Sequence, residues 1–515
     1  MMPSPYKLTA TQVLELLKNN TLTVEAYASS LLDRIQAHDS TVKAWAYLDP
    51  ELVLSQARAL DQIPDAQRGP LHGVAIGVKD IMNTEDMPTQ FGSPIYKGHQ
   101  PRFDSSAVAI LRAAGALIFG KTTTTEFAVT NSGPNTTNPH DPDRTPGGSS
   151  CGSAAAVADF HVPLSLGAQT GGGIIRPASF TGVFAMKPTF NAISVEGHKP
   201  FAPSFDTFGF FARGVEDLQL LADVFALQDD NPLQDMPLEK TSVALMKTPL
   251  WSLAGPGTVS AMEEAAEILK NSGAKVQEVA FPPEVADGPG LRRILKVIVL
   301  GEAQACLLRE YQIGKESLAQ EICDIVENTS NGTREGLVRA SETCASMREI
   351  VNDLADNYSV ILTPSAVDEA PLGLSDMGRA HFNTMWTGFH MPIINVPAFV
   401  GANGMPVGIS LVAPRFRDQQ LLRTSRVLGE KLMAQGGWKL SSRVKCVGKW
   451  DFYGCHCGDR DSESQEESGC EGGDCDSQSQ EESGCEGGDC DSQSQEESGC
   501  DGGDCDSQSQ EEIRL

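Results

Sequence analysis

Apolar positions along this chain fall into two alternating patterns. Val13, Leu14, Leu16 and Leu17 are spaced as on one helix face and follow Thr9, with Gln12 three positions on, the arrangement of a capping box. Residues 24–35 repeat the amphipathic spacing. Short unbroken apolar runs, partly β-branched, predict buried strands at 74–78, 116–119, 242–246, 360–363 and 407–412, and the helical stretch 106–114 leads directly into the second of these. Helices and strands interleaved in this way predict an α/β fold, a mainly parallel or mixed sheet covered by helices. Glycine-rich blocks between the elements then fall on loops at strand ends.

The pattern stops near residue 445. A length of 515 residues suggests about three average domains, yet no linker-like break precedes that point, so the expectation is one domain over 1–445 and an appended tail over 446–515. From Asp451 onward 21 residues are acidic and 2 are basic, so this stretch carries −19 of the total charge of −28 and leaves −9 for the rest. It repeats with a period of 15 residues, making Cys470, Cys485 and Cys500 equivalent, as are Cys475, Cys490 and Cys505. With almost nothing apolar to bury, it cannot offset the entropy of ordering and is predicted to be disordered. Thiols beside carboxylates also make the tail a candidate metal- or partner-binding segment, but Cys-x4-Cys without histidines, Cys455-His456-Cys457 apart, is a weak zinc pattern.

Composition narrows the partners. So acidic a chain argues against nucleic acid or anionic lipid, and no run of 18 apolar residues predicts a membrane span. Five scattered cysteines outside the tail (Cys151, Cys306, Cys323, Cys344 and Cys446) do not form a disulfide framework. With no basic-then-apolar leader at the start, a cytoplasmic setting is expected. A small molecule is the expected ligand, no cofactor is called for, and a homodimer is a candidate assembly.

The chemistry sits in two glycine blocks. The first is Gly147-Gly148-Ser149-Ser150-Cys151-Gly152-Ser153, and the second is Thr170-Gly171-Gly172-Gly173-Ile174-Ile175-Arg176-Pro177, trailed by residues 180–189. Upstream, Gly73-Val74-Ala75-Ile76-Gly77-Val78-Lys79-Asp80 ends an apolar strand on a lysine. Together these motifs resemble the amidase signature family, and the likeness extends over roughly residues 5 to 440, including Ser204-Phe205-Asp206-Thr207 and Asn395-Val396-Pro397-Ala398.

That resemblance implies one large α/β domain, a mixed β-sheet core covered on both faces by α-helices, that hydrolyses the C–N bond of a small or hydrophobic carboxylic amide without a metal or organic cofactor. In the family one serine attacks the carbonyl, a second serine on a cis peptide relays its proton, and the lysine is the final base. Carried over, Lys79 is the base, Ser149 the relay, and Thr170, Gly171, Gly172 and Gly173 the oxyanion loop, where glycine backbone approaches developing negative charge. Read alone, Lys79 would be a surface lysine paired with Asp80, and Ser149 a polar turn. Arg176 is expected to tie loops together, and Cys151 to fill space. Aromatic and apolar residues at 201–211, with Met385, Trp386, Phe389 and His390, give a slight preference for an aromatic substrate.

The departure is at Gly173, where the family carries its acyl-forming serine. No covalent intermediate can form on a glycine. Gln169 and Ile175 also differ from common members and match small-amide hydrolases better than the tRNA-linked amidotransferase components. The chain is therefore read as an amidase whose competence depends on residue 173, or as a silent amide- or acid-binding pseudoenzyme.

Overall fold

The computed structural model describes residues 4–440; the predicted boundary at 445/446, the repeat and its metal-binding reading lie outside them. Eleven strands in this region form one sheet. They are β1 (Trp45–Tyr47), β2 (Ala75–Lys79), β3 (Leu117–Thr122), β4 (Leu164–Gln169), β5 (Phe184–Lys187), β6 (Thr207–Ala212), β7 (Ser242–Leu245), β8 (Lys275–Glu278), β9 (Val360–Pro364), β10 (Ile393–Val400) and β11 (Pro406–Val412). Their spatial order is β1-β3-β2-β4-β6-β5-β10-β11-β9-β7-β8. Pairings are parallel for β2 with β3 and β4, and for β7 with β8 and β9; the rest are antiparallel.

The sheet is mixed, one of the two arrangements the alternating pattern allows and the one the family resemblance implies. Every residue of β2, β3, β6, β9 and β11 is buried. A strand buried at successive positions has both faces covered, here by helices. The Thr9 cap forms with its reciprocal Gln12 contact, and the helix predicted at 24–35 continues as Val24–Val42 until Lys43 turns left-handed at φ 55°.

Strands β1, β4, β5, β6, β8 and β10 had no counterpart in the sequence expectation. In β4 the reason is polar residues that are nonetheless buried, which breaks the apolar run. The Ser165 hydroxyl donates to the Gly77 carbonyl at 3.1 Å, and Gln169 is bonded at both ends of its amide. Satisfied in this way, polar groups cost little to bury.

Parallel pairing brings the carboxyl ends of β2 and β4 to one edge, with Ile76 opposite Leu164 and Gly77 opposite Ser165. The helix Cys151–Ala158 precedes β4, so its amino end lies at the same edge. β6 runs antiparallel to β4 and pairs Thr207 with Gln169, which brings the residue before it, Asp206, to that edge as well.

Glycine is required within β2. A Cβ on Gly77 would lie 2.9 Å from Ser165 Oγ and 3.1 Å from Thr122 Cγ2. Gly77→Val is expected to lower unfolding free energy by about 1–3 kcal/mol through overpacking. Urea melts should show a shifted midpoint at unchanged slope.

Candidate active site

Lys79 closes β2 and is fully buried. Its Nζ donates to Ser149 Oγ at 2.7 Å. Burial lowers its pKa from the ordinary lysine value to about 7, against smaller raising effects from Cys151 and Asp206. Asp80 is not its partner; that carboxylate pairs with Lys121 at 3.2 Å. The surface-lysine alternative therefore does not describe Lys79.

Ser149 follows a cis peptide bond to Gly148 and stands just ahead of the buried helix Cys151–Ala158. That helix is made of small residues because it is wedged tightly among its neighbours, with Gly152 N donating to the Thr123 carbonyl at 3.1 Å. Ser153 donates to the Leu166 carbonyl at 2.7 Å, and Ser150 bonds the Ala168 backbone. Cys151 is buried with its Sγ 3.7 Å from Met377 Sδ. None of these three side chains is hydrogen-bonded to Lys79.

The second block leaves β4 as a tight loop. Gln169 braces it: its Oε1 accepts from Ile174 N and Ile175 N, both at 3.0 Å, and its Nε2 donates to Thr387 Oγ1 at 3.0 Å. Thr387 in turn donates to the Gly171 carbonyl at 3.0 Å. Among the described residues, no group accepts a hydrogen bond from the N–H of Gly171, Gly172 or Gly173, although Gly172 and Gly173 are buried. Buried backbone donors are nearly always paired. An unpaired set on a braced loop is a donor array suited to an incoming oxyanion. Arg176 joins the two blocks, donating to the Gly148 carbonyl at 2.6 Å and also to the Gly378 carbonyl.

Gly173 stands over Ser149. A Cβ built there would lie 3.0 Å from Ser149 Oγ and well inside van der Waals contact with the Ala168 carbonyl oxygen. The loop has thus settled where only glycine fits without a backbone shift.

A cavity of about 90 Å³ opens on Ser149, with Thr170, His198, Phe201 and Asp206 in its lining. Asp206, within the Ser204–Thr207 stretch that carries part of the family likeness, and His198 were not among the expected site residues. Asp206 Oδ1 accepts from Thr170 Oγ1 at 2.5 Å, while Oδ2 accepts from Phe201 N at 2.8 Å and Ala202 N at 3.1 Å. One carboxylate therefore ties the glycine loop to the opposite wall. A lone acid inside the aromatic run 201–211 was the available signal. Burial pushes its pKa up, against lowering by those hydrogen bonds and by Lys79. His198 gave no such signal; its Nε2 is buried without a hydrogen-bond partner, and burial lowers its pKa to about 3, so the ring is neutral. Phe201 is the aromatic residue of the lining. Trp386, Phe389 and Met385 are buried in the core, and His390 stacks on Phe190, so they lend no support to an aromatic substrate. No group of three or more His, Cys, Asp or Glu among the described residues is arranged to hold a metal, and no described helix is long and apolar enough to cross a membrane.

Comparison with known proteins follows this geometry. The family model described as Amidase matches residues 26–422. The chain is 34% identical over 476 residues to a glutamyl-tRNA(Gln) amidotransferase subunit of Carboxydothermus hydrogenoformans, covering 82% of this chain and 96% of that one. It is 29% identical over 494 residues to the corresponding chloroplastic/mitochondrial protein of Zea mays, with coverages of 84% and 90%. A crystal structure of an amidase superposes with a TM-score of 0.73 at 29% identity, covering 84% of this chain and all of that one.

The close approach at residue 173 has a measurable consequence. Gly173→Ala should destabilise the protein by about 1–3 kcal/mol, because the added methyl meets backbone that cannot rotate away. Denaturant melts of the two proteins side by side check it; equal midpoints would mean that the loop relaxes freely.

Proposed function

The chain belongs to the amidase family, and from that premise we propose that its site cleaves the C–N bond of a small carboxylic amide, releasing carboxylate and ammonia or an amine. The observation that carries this is the 2.7 Å bond from the buried Lys79 to Ser149, a residue that lines a small cavity and adjoins Gly173 of the glycine loop. A cavity of about 90 Å³ favours an acyl group of a few carbons, since an engineered void of roughly 150 Å³ accepts benzene.

In this reading the substrate carbonyl oxygen sits against the N–H groups of Gly171 to Gly173. Negative charge developing on it meets donors already fixed in place, which requires no reorganisation. Lys79 and Ser149 carry the proton traffic. A lysine with a pKa of about 7 is substantially neutral just above neutrality and can accept a proton there. No acyl ester can form on residue 173. In serine proteases, losing the nucleophile costs roughly 10⁶ in kcat and leaves about 10³–10⁴ over water, so turnover is expected to be slow.

The names of the relatives suggest a second reading, in which the chain is one component of an amidotransferase and works with a partner protein. Their identity over most of the chain favours it; the Gln169 and Ile175 pattern favours a free-standing amidase. An intact-mass or sedimentation measurement of the protein isolated from its native cells separates the two.

Ammonia release should be followed over a panel of acetamide, propionamide, butyramide and benzamide. The short aliphatic amides are expected to be cleaved, and Lys79→Ala to reduce the rate by about 10²–10⁴. Absence of both turnover and calorimetric binding across the panel would sink the amide reading, whereas binding without ammonia identifies a silent binder. The rate should rise with pH and level off above about pH 7 to 8, because the neutral form of Lys79 is the active one and its pKa is about 7. A profile falling over that interval would exclude Lys79 as the base.

A further inference from the structure

We infer that Ser149 is itself the nucleophile of this chain, forming with Lys79 a serine–lysine dyad that carries the acyl group on Ser149 Oγ; the inference rests on the amide-cleaving reading above. Four observations lead there. Ser149 lines the cavity, while Lys79 behind it has no exposed surface. Ser149 Oγ is bonded to Lys79 Nζ at 2.7 Å, the contact a hydroxyl needs to give up its proton on attack. Residue 173 has no side chain, and the position its Cβ would take is 3.0 Å from Ser149 Oγ, so no group of that residue stands between this hydroxyl and an entering carbonyl. Gly173, which adjoins Ser149 Oγ, has an N–H with no acceptor among the described residues.

Other hydroxyls nearby fit less well. Ser150 is taken up by the Ala168 backbone, and Ser153 by Thr122 and the Leu166 carbonyl. Thr170 reaches the cavity but donates to Asp206, a carboxylate that also accepts two backbone N–H bonds and is a weaker base than an amine. Thr170 also begins the loop that has to hold the oxyanion. A lysine as the sole base for a serine is a known variant of nucleophilic catalysis on unrelated folds.

The step balances without an added reagent. Ser149 Oγ bonds to the carbonyl carbon of R–CO–NH₂ as its proton passes to neutral Lys79 Nζ, and the carbonyl π electrons move onto oxygen, facing the loop N–H groups. Collapse of the tetrahedral species breaks the C–N bond, and Lys79 returns the proton to the departing nitrogen, which leaves as ammonia. Water then attacks the Ser149 ester, giving one proton to Lys79. The C–Oγ bond breaks, the carboxylic acid departs, and the proton returns to Ser149 Oγ.

A fluorophosphonate probe tests this on the full chain without requiring amide turnover. Intact mass should show one adduct, and peptide mapping should assign it to Ser149. The adduct should be absent in Ser149→Ala and form at least a hundredfold more slowly in Lys79→Met, which keeps the buried volume. Because alanine could disturb the turn, Ser149→Cys provides a second check: phosphonylation is lost there while iodoacetamide gains a site at position 149. An adduct mapped to Thr170 or elsewhere, no adduct where a control serine hydrolase is fully labelled, or ammonia release persisting in Ser149→Ala would each overturn the inference. Labelling of Ser149 in a chain that releases no ammonia from any amide would uphold the nucleophile and overturn the amide substrate, so the two failures are distinguishable.

Discussion

The rest of the site depends on one ammonium-bearing side chain held out of water at the end of a strand. A buried lysine is tolerated only if it sheds its charge or is hydrogen-bonded. Lys79 meets both conditions, through a lowered pKa and the Ser149 hydroxyl. Bringing that hydroxyl to the strand end requires the helix behind it to pack closer than ordinary side chains allow. Cys151–Ala158 is accordingly a run of small residues, all of them buried. The sequence Cys-Gly-Ser-Ala-Ala-Ala-Val-Ala is therefore as much a consequence of the Lys79 contact as Ser149 is.

Burial alone does not single Lys79 out. Lys121 and Lys187 are equally buried, and burial lowers their pKa values too, to about 8 and about 7. Their surroundings differ. Lys121 is enclosed by Asp80, the Met82 carbonyl and Thr89, and Lys187 donates to the Pro188 carbonyl. Of these three lysines, Lys79 is the one bonded to a hydroxyl that lines the cavity. A buried lysine becomes chemically useful through what stands between it and the ligand.

Much of the architecture was legible in the sequence. Strands dominated by aliphatic residues announced themselves, as β2, β9 and β11 did, and so did the cap at Thr9. β4 did not, because Ser165 and Gln169 break its apolar run and find their partners far along the chain, at Gly77 and Thr387. The same reasoning applies to the site. Lys79, Ser149 and the glycine loop were marked by motif, and their places at one sheet edge follow from strand direction. Asp206 and His198 reach that edge only through the antiparallel pairing of β6 with β4 and the chain leading into it, which no local pattern encodes.

The backbone at Gly173 also constrains how this chain can change. With the loop closed against the Ala168 carbonyl, a serine introduced at that position would find no room for its Cβ without a backbone shift. The end of β4 would have to move first, and that end is fixed by the Gln169 hydrogen bonds. Residue 173 is thus sterically locked: any side chain there is admitted only with a second change that, on its own, loosens the glycine loop.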